Sequence, residues 1–338
     1  MTPAMANTSS SSDITTLHPD IFQFHILNRL DGPTLASAAS ATSHLRRLCT
    51  ESHLWLNICT ATWPSLNDPL AAATIATFPA THRSIFSDSF PSLHHSPPNP
   101  IPKQRPTPPP ELISAVDLYY KGNPVFSRVI RTETHNGWFL CSPLRVDVLD
   151  PTEVVLTTLK IEETSDENEL LNHLVDNLAL SWIIIDPTRK RAANLSSRLP
   201  VSARRHWLTE ELVVLYAVPM ETVQCVVKVT FCGKVGSAVY VREVSLTMED
   251  TKGRHVIGRH SVVILQDAME NGKREKLDAE EAKERFKKFS IVKRKIRERK
   301  MRKERVEEMV AMLVSLAVVV LLGFIFVVFG VSPKRFRY

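Results

Sequence analysis

The side chains that could carry covalent or metal chemistry are few and scattered. The five cysteines form no C-x-x-C pair, and the chain contains no G-x-S-x-G, P-loop, H-E-x-x-H or G-x-G-x-x-G motif. Cys141 and His135 lie six residues apart and could pair as nucleophile and base, but no third residue that would orient the histidine is identifiable. We therefore interpret the cysteines as structural thiols of a reducing compartment, and predict no catalytic residue, metal site or cofactor.

The longest apolar run, 309–331, predicts a membrane-spanning helix. Its 23 residues carry no charge, and such a helix spans about 34 Å, more than a hydrocarbon core of about 30 Å. The alternative, a buried core helix, rarely stays uncharged for more than about 14 residues. Because only 332–338 follow, we expect a tail anchor. The residues expected to form it are Met309, Leu313, Leu316, Leu321, Leu322, Phe324, Phe326 and Phe329.

Charge on the two sides of this run predicts its orientation. The segment 283–305 holds thirteen Lys or Arg against three Glu, whereas three basic residues follow the run. Basic residues next to a span stay on the cytoplasmic side, so the body should face the cytosol. The sequons at Asn7 and Asn194 should then carry no glycan. We favour the endoplasmic reticulum, with an organelle outer membrane as the alternative.

The net charge of +6 comes largely from that same basic segment. The rest of the chain is slightly acidic, which does not favour a nucleic-acid partner. We interpret the basic segment as a solvated helical stalk that leads into the membrane, with binding to anionic lipid headgroups as the alternative.

Shifts in composition divide the chain and predict an α+β protein. We expect a disordered leader at 1–16, a compact helical unit at 17–63, a Pro-rich linker at 64–110, a β-rich domain at 111–270, a basic juxtamembrane helix at 271–308, the transmembrane helix at 309–331 and a short tail at 332–338. Val- and Ile-rich runs between turn residues predict a mostly antiparallel sheet, with strands at 153–161, 180–186, 211–218, 222–231, 238–248 and 260–266. Helical spacing of apolar residues predicts helices at 111–122 and 167–178.

The unit at 17–63 has the composition of a protein-binding module. Pro19 predicts a helix start, and Phe22, Ile26 and Leu30 follow at helical spacing. Three short helices in about 45 residues bury little apolar area alone. The first helix also has more large apolar residues than one internal face can hold, which is typical of a surface that binds a partner.

This unit resembles an F-box. The family pattern is an opening L-P-x-D/E, an apolar helix ending I-L-x-x-L, a Leu-led second helix with a basic end, and a later Trp. The matching residues are Leu17, Pro19, Asp20, Ile26, Leu27, Leu30, Leu35, Ser43, Leu45, Arg46 and Trp55. The chain departs from the pattern at His18, which separates Leu17 from Pro19, and in the Ala-rich stretch 36–43. Further blocks, including GWFLCSPLRVDVLDP at 137–151, resemble plant F-box proteins with a hydrophobic C-terminus.

The resemblance implies a non-catalytic subunit of a Skp–cullin–F-box ubiquitin ligase. It implies that the F-box binds a Skp-type adaptor, and through it a cullin, while 111–270 recruits a protein substrate. The residues implied to bind the adaptor are Leu17, Pro19, Ile21, Phe22, Ile26, Leu27, Leu30, Leu35, Leu45 and Trp55.

Two alternatives remain open at this point. The β-rich domain could be a lectin-like module that stacks carbohydrate on Trp138, Trp182 or Trp207. The chain could instead be a membrane scaffold without ligase activity, whose F-box fails to bind its adaptor.

Overall fold

A computed structural model of the chain describes residues 22–94, 108–160, 167–220, 222–233, 238–276 and 278–330. The expected leader at 1–16, the tail at 332–338 and the candidate residues Leu17, Pro19 and Ile21 lie outside the described residues. The fold class is α+β, as predicted: N-terminal helices, antiparallel sheets and one long C-terminal helix.

Short helices build the N-terminal layer. A π-helical turn, Phe22–Ile26, and a 3-10 turn, Leu27–Arg29, replace the regular first helix that the apolar spacing predicted. The next elements are α1 (Gly32–Ala41), α2 (Ser43–Cys49), α3 (Ser52–Thr62), a 3-10 turn (Pro64–Asn67), α4 (Pro69–Ile75) and α5 (Thr81–Ser89).

The predicted linker at 64–110 is wrong over 64–94, which is folded. Pro64 and Pro69 each lie in the first turn of a helix, where a missing N–H costs no hydrogen bond and the fixed φ is already helical. Ile75 and Ile85 are fully buried. These prolines therefore start helices rather than break them. The remainder of the expected linker, 95–107, lies outside the described residues.

Two antiparallel sheets form the rest of the body. The four-stranded sheet has the order β3-β2-β6-β7, from β2 (Glu111–Tyr120), β3 (Asn123–Glu133), β6 (Leu178–Asp186) and β7 (Arg191–Asn194). The six-stranded sheet has the order β4-β11-β10-β9-β8, with β5 also paired to β11. Its strands are β4 (Arg145–Asp147), β5 (Val155–Lys160), β8 (Ser202–Arg205), β9 (Leu212–Met220), β10 (Val223–Cys232) and β11 (Ala238–Asp250). A small pair joins β1 (Leu93–His94) to β12 (Lys273–Arg274).

Helices α6 (Gly137–Cys141), α7 (Glu167–Asn177) and α8 (Gly258–Asn271) connect or cover these strands. The helix expected at 167–178 is confirmed as α7. The strands expected at 153–161, 180–186, 211–218, 222–231 and 238–248 are confirmed as β5, β6, β9, β10 and β11.

Two segments have the opposite structure from the one predicted. The expected helix at 111–122 is strand β2, which is buried on both faces; its nearly continuous apolar run therefore lacks strict alternation. The expected strand at 260–266 belongs to helix α8, whose buried Val262, Leu265 and Met269 recur at helical spacing. The β-branched pair Val262-Val263 favoured the wrong prediction there.

The four-stranded sheet is the middle layer of the body. One of its faces packs on the N-terminal helices through Ile113, Ala115, Ile183 and Ile185. Leu112, Val116, Trp182 and Ile184, on the same two strands, belong to the core shared with the six-stranded sheet. The strict alternation between the two sets follows from the two-residue repeat of a strand.

The C-terminal helix α9, Ala279–Gly330, is continuous over 52 residues. Its first turns pack on the six-stranded sheet, where Ala282 and Phe286 contact Val201 and Ala217. The Nζ atom of Lys293 lies 2.6 Å from Glu249 Oε2 on β11. Beyond Lys293 the helix leaves the body, so the predicted basic helix and the predicted span are parts of one element.

Candidate functional site

The helical unit that resembles an F-box is organised around a buried centre. Leu27, Leu35 and Trp55 are at most 3% exposed. The indole N–H of Trp55 donates to the carbonyl oxygen of Cys49 at 2.7 Å, and its ring centroid lies 5.2 Å from that of Phe86. Three residues that the sequence assigned to partner binding therefore form the framework of the unit.

Side-chain caps fix where the helices begin. Asp31 Oδ1 accepts from Thr34 N at 3.0 Å at the start of α1, and this contact with Thr34 holds the pKa of Asp31 below its usual value. Thr42 Oγ1 accepts from Leu45 N at 3.1 Å at the start of α2. The cap at Thr42 breaks the predicted second helix into two.

Gly32, in the first turn of α1, lies against the ring of Phe86. A Cβ atom at this position would overlap that ring. A glycine is therefore required there because α1 approaches α5 more closely than any side chain allows.

Apolar side chains on the outside of the same unit meet solvent. Phe24 is 59% exposed, Ile26 38% and Leu56 41%. Phe22, Leu30 and Leu45, in the same helical unit, are half-buried. Large apolar residues grouped on one small unit suit a protein partner better than solvent.

Sequence reasoning missed Phe24 and Leu56. A regular helix would have put Phe22, Ile26 and Leu30 on one face and Phe24 on another. The π-helical and 3-10 turns change that spacing, so Phe24 and Ile26 are both exposed. For Leu56, the signal was the Leu-Trp-Leu sequence at 54–56, in which three large residues cannot all face inward on a helix.

Two buried carboxylates tie the helical layer to the middle sheet. Asp117 on β2 is fully buried and accepts from Ser65 N at 2.8 Å, from Ser65 Oγ at 2.5 Å and from Ser127 Oγ at 2.7 Å. Burial raises the pKa of Asp117, and the bonds from the two serines oppose that rise. Ser65 lies in the 3-10 turn that follows α3, so the hydrogen bonds join the C-terminal end of the F-box unit to the sheet.

Asp88 on α5 makes the second connection. Its Oδ2 accepts from Ala192 N on β7 at 3.0 Å, and its Oδ1 lies 3.2 Å from Arg191 Nη2. The Arg274 Nε donates to the Asp88 carbonyl oxygen at 2.6 Å. Burial raises the pKa of the Asp88 carboxyl, while the Ala192 amide and the two arginines act against it. The helical layer and the β-rich domain are thus bonded directly to each other through Asp88.

The tryptophans considered for carbohydrate stacking do not converge. Trp182 is fully buried in the core between the sheets, which removes it as a ligand-stacking residue. Trp138 is 80% exposed on α6, which precedes β4, and Trp207 is 85% exposed in the turn between β8 and β9. Since β4 and β8 are opposite edges of the six-stranded sheet, the two exposed rings serve separate surfaces.

Both residues of the candidate catalytic pair, His135 and Cys141, lie at the surface. Cys141 is exposed, and the Nδ1 atom of His135 lies 3.1 Å from the carbonyl oxygen of Pro110. Within the described ranges, no three His, Cys, Asp or Glu side chains are grouped so that they could hold a metal ion.

The apolar half of α9 has the properties of a membrane span. Over Ala279–Val327 the most apolar 18-residue window has a mean hydropathy of 3.0 and is 0% buried in the protein. The expected anchor residues Met309, Leu313, Leu316, Leu321, Leu322, Phe324 and Phe326 are exposed, and Phe329 lies in the same helix. Length and composition make α9 long and apolar enough to cross a bilayer.

Three curated proteins of Arabidopsis thaliana are similar to the chain over most of its length. F-box protein At2g27310 is 42% identical over 336 residues, which cover 94% of this chain and 98% of the relative. Probable F-box protein At2g36090 is 42% identical over 308 residues, 88% of this chain and 90% of the relative. F-box protein At3g44326 is 41% identical over 290 residues, 82% of this chain and 79% of the relative. No family model and no solved structure matches the chain.

Proposed function

We propose that this chain, which belongs to the family of F-box proteins, is a membrane-anchored substrate receptor of a Skp–cullin–F-box ubiquitin ligase. Its F-box binds a Skp-type adaptor and, through it, the cullin. Its β-rich domain binds a protein that is to be ubiquitylated. The chain itself contributes no catalytic group and acts by holding the target protein close to the catalytic subunits of the ligase.

The observation that carries this proposal is the exposed apolar surface of the F-box. Phe24, Ile26 and Leu56 are held outward by a buried framework, so binding a partner would cost the F-box little rearrangement. The half-buried Phe22, Leu30 and Leu45 extend this surface. We call these six residues the adaptor surface.

The bonded junction between the F-box and the sheets supports the receptor role. Asp117 and Asp88 fasten the helical layer to the domain proposed to hold the target. A rigid connection raises the effective concentration of a bound target at the ligase more than a flexible one of the same length.

For target binding we favour the exposed Trp207 and the adjoining Leu208, since large aromatic and aliphatic side chains dominate protein interfaces.

The membrane part of the proposal rests on α9. Lys293, which contacts the sheet, lies sixteen positions before Met309, where the apolar run begins. At helical rise this gives a spacer of about 24 Å between the body and the bilayer. The basic residues of this spacer support a cytosolic position of the body, on the side where the cullin machinery operates. We favour the endoplasmic reticulum as the membrane.

Adaptor capture tests the ligase role. We expect the double substitution Phe24→Asp with Ile26→Asp to abolish co-purification of a Skp-type adaptor with the full-length protein, because a carboxylate buried in an apolar interface costs several kcal/mol. Asn28→Asp, which adds one charge at an exposed polar position of the same segment, is the control and should retain the adaptor. Undiminished capture by the double variant would refute the adaptor surface, and no capture by the unmodified protein would favour the scaffold alternative.

Orientation in the membrane needs a different reporter from the internal sequon. Asn194 is 7% exposed, and its side chain bonds to Trp182 N and Ser181 Oγ, so a missing glycan there says nothing about topology. A C-terminal extension carrying a sequon should instead become glycosylated if α9 spans the reticulum membrane. Protease added to sealed vesicles should digest the body. A protected body would contradict the proposed orientation.

A further inference from the structure

A cavity of about 600 Å³ lies where the F-box, both sheets and the start of α9 meet. Its walls come from the end of α3, the segment after α5, strands β6 and β9, and the first turns of α9. The volume falls within the range of about 300–1,000 Å³ that small-molecule sites occupy in proteins. The adaptor surface and the exposed Trp207 have no part in its lining.

Most of the cavity wall is apolar. Trp63, Leu93 and Leu180 are each at most 3% exposed, and Phe90 and Val218 complete this side. These side chains would contact an apolar ligand body without rearranging, because each is already packed in one of the two cores or against it.

One buried polar group in the lining lacks a partner. Ser89, at the end of α5, is 1% exposed, and within the described part of the chain its Oγ makes no hydrogen bond. By contrast, Asn194 in the same lining bonds to Ser181 Oγ. Among the described residues, the wall thus offers a buried hydroxyl without a partner in a mostly apolar surface.

The rim of the cavity is basic. The Nη2 atom of Arg285 lies 2.5 Å from Glu281 Oε1 and 3.8 Å from Glu275 Oε2. The Asp278 carboxylate caps α9 by accepting a hydrogen bond from Glu281 N. Arg198 and Lys276 are exposed at the rim, and neither forms an ion pair with another described residue. Two cations are therefore available to an anion, whereas the acids of the rim already have partners.

We propose that this cavity binds a small amphipathic carboxylic acid. The apolar body of the acid packs on Trp63, Leu180 and Val218, and its carboxylate faces Arg198 and Lys276. A guanidinium binds a carboxylate through paired, charge-assisted hydrogen bonds, which makes Arg198 the main determinant of charge selectivity. Because the ligand would touch the F-box, both sheets and α9 at once, its binding stabilises their packing against one another.

Binding of defined probes to the full-length protein in lipid nanodiscs tests this proposal. The probes are 2-naphthoate and octanoate, with 2-naphthylmethanol as the uncharged counterpart, measured by calorimetry against empty nanodiscs. We expect one saturable site per chain for the acids, and binding of the alcohol that is at least tenfold weaker. The acids should also raise the thermal midpoint of the protein.

Two kinds of variant locate the site. Arg198→Gln should weaken 2-naphthoate binding at least tenfold and leave the alcohol unchanged. The matched control, Arg259→Gln, removes an exposed arginine of α8 that does not line the cavity, and should change neither. Ala179→Trp fills the cavity from β6 and should abolish binding of both probes; Ala61→Trp does so from the exposed end of α3 if the first variant does not fold.

Absence of saturable binding of the acids up to millimolar concentration would overturn the proposal. Equal affinity for acid and alcohol, or an Arg198→Gln variant that binds like the unmodified protein, would overturn it as well. Adaptor capture is measured separately in the same preparations. If no acid binds the cavity, the proposed ligase role still stands, and if no adaptor is captured, the proposed ligand site still stands.

Discussion

Ile26 and Leu27 are neighbours in the F-box, similar in size and both part of its sequence pattern, but they have different roles in the structure. Leu27 is 1% exposed and belongs to the core that joins the helices to the sheet, whereas Ile26 is 38% exposed. The same division separates Trp55 from Leu56. A family motif therefore combines two sets of residues, an inner framework that determines stability and an outer surface that determines binding.

The inner set extends beyond the F-box itself. Its core includes Ile113 and Ile183 of the middle sheet, and the buried Asp117 bonds to Ser65 in the 3-10 turn after α3. In the outer set, Phe24, Ile26 and Leu56 belong to none of the buried clusters, whereas Phe22 and Leu30 pack against the edge of this core. Substitutions in the inner set should therefore alter the whole body, while those in the outer set should alter only what binds to it.

The largest expected effect is at Trp55. Trp55→Ala removes the ring contact with Phe86 and the hydrogen bond to Cys49, and should lower the free energy of unfolding by about 3–5 kcal/mol. Leu56→Ala, one residue away on the outer side, should change it by less than about 0.5 kcal/mol. Denaturant unfolding measures both values. Equal losses in the free energy of unfolding at the two positions would contradict the division between framework and surface.

A smaller effect is expected where α1 meets α5. Gly32→Ala places a methyl group against the Phe86 ring and should cost about 1–3 kcal/mol through overpacking. Gly137→Ala is a matched control, because a Cβ atom at that helix start meets no atom within 4 Å. Thermal unfolding of the two variants compares them directly. A stable Gly32→Ala protein would show that α1 and α5 are not packed as described.

The smallest effect, and the most specific, is the pH dependence of the stability that Asp117 contributes. Because burial raises its pKa, the folded state binds the proton more tightly than the unfolded state does. The stability of the unmodified protein relative to Asp117→Asn should therefore be greatest in acid, and should fall as the pH rises above about 4, the region where an unfolded aspartate ionises. Thermal midpoints of the two proteins between pH 4 and pH 7 give this difference. A difference that rises with pH would mean that Asp117 is not buried at the junction.

The sequence predicted the parts of the fold whose pattern is local. Strand β11 alternates regularly at Val239, Val241, Val244 and Leu246, on either side of a bulge, and helix α7 places Leu170 and Leu174 four residues apart. Strand β2 was mistaken for a helix because burial on both faces removes alternation. That burial depends on helices and strands elsewhere in the chain, so no local window contains the information.

The candidate site was predictable as a region but not as a surface. Its position at 17–63 follows from the residues shared with other F-box sequences, whereas the orientation of Phe24 depends on the irregular turns at 22–29. The bond between Ser65 and Asp117 joins residues 52 positions apart, and so could not be anticipated from spacing. The sequence therefore predicted separate units, whereas in the structure hydrogen bonds and a shared core join the F-box to the middle sheet.

The most direct test of the division between framework and surface is a paired measurement on Ile26→Asp and Leu27→Ala in the full-length protein. Adaptor affinity and thermal stability are determined on the same samples. Ile26→Asp should weaken adaptor binding at least a hundredfold, equivalent to about 2.7 kcal/mol, with an unchanged thermal midpoint. Leu27→Ala should lower stability by about 2–5 kcal/mol, while its folded fraction binds the adaptor normally. If both variants lose stability and affinity together, the division between framework and surface is wrong.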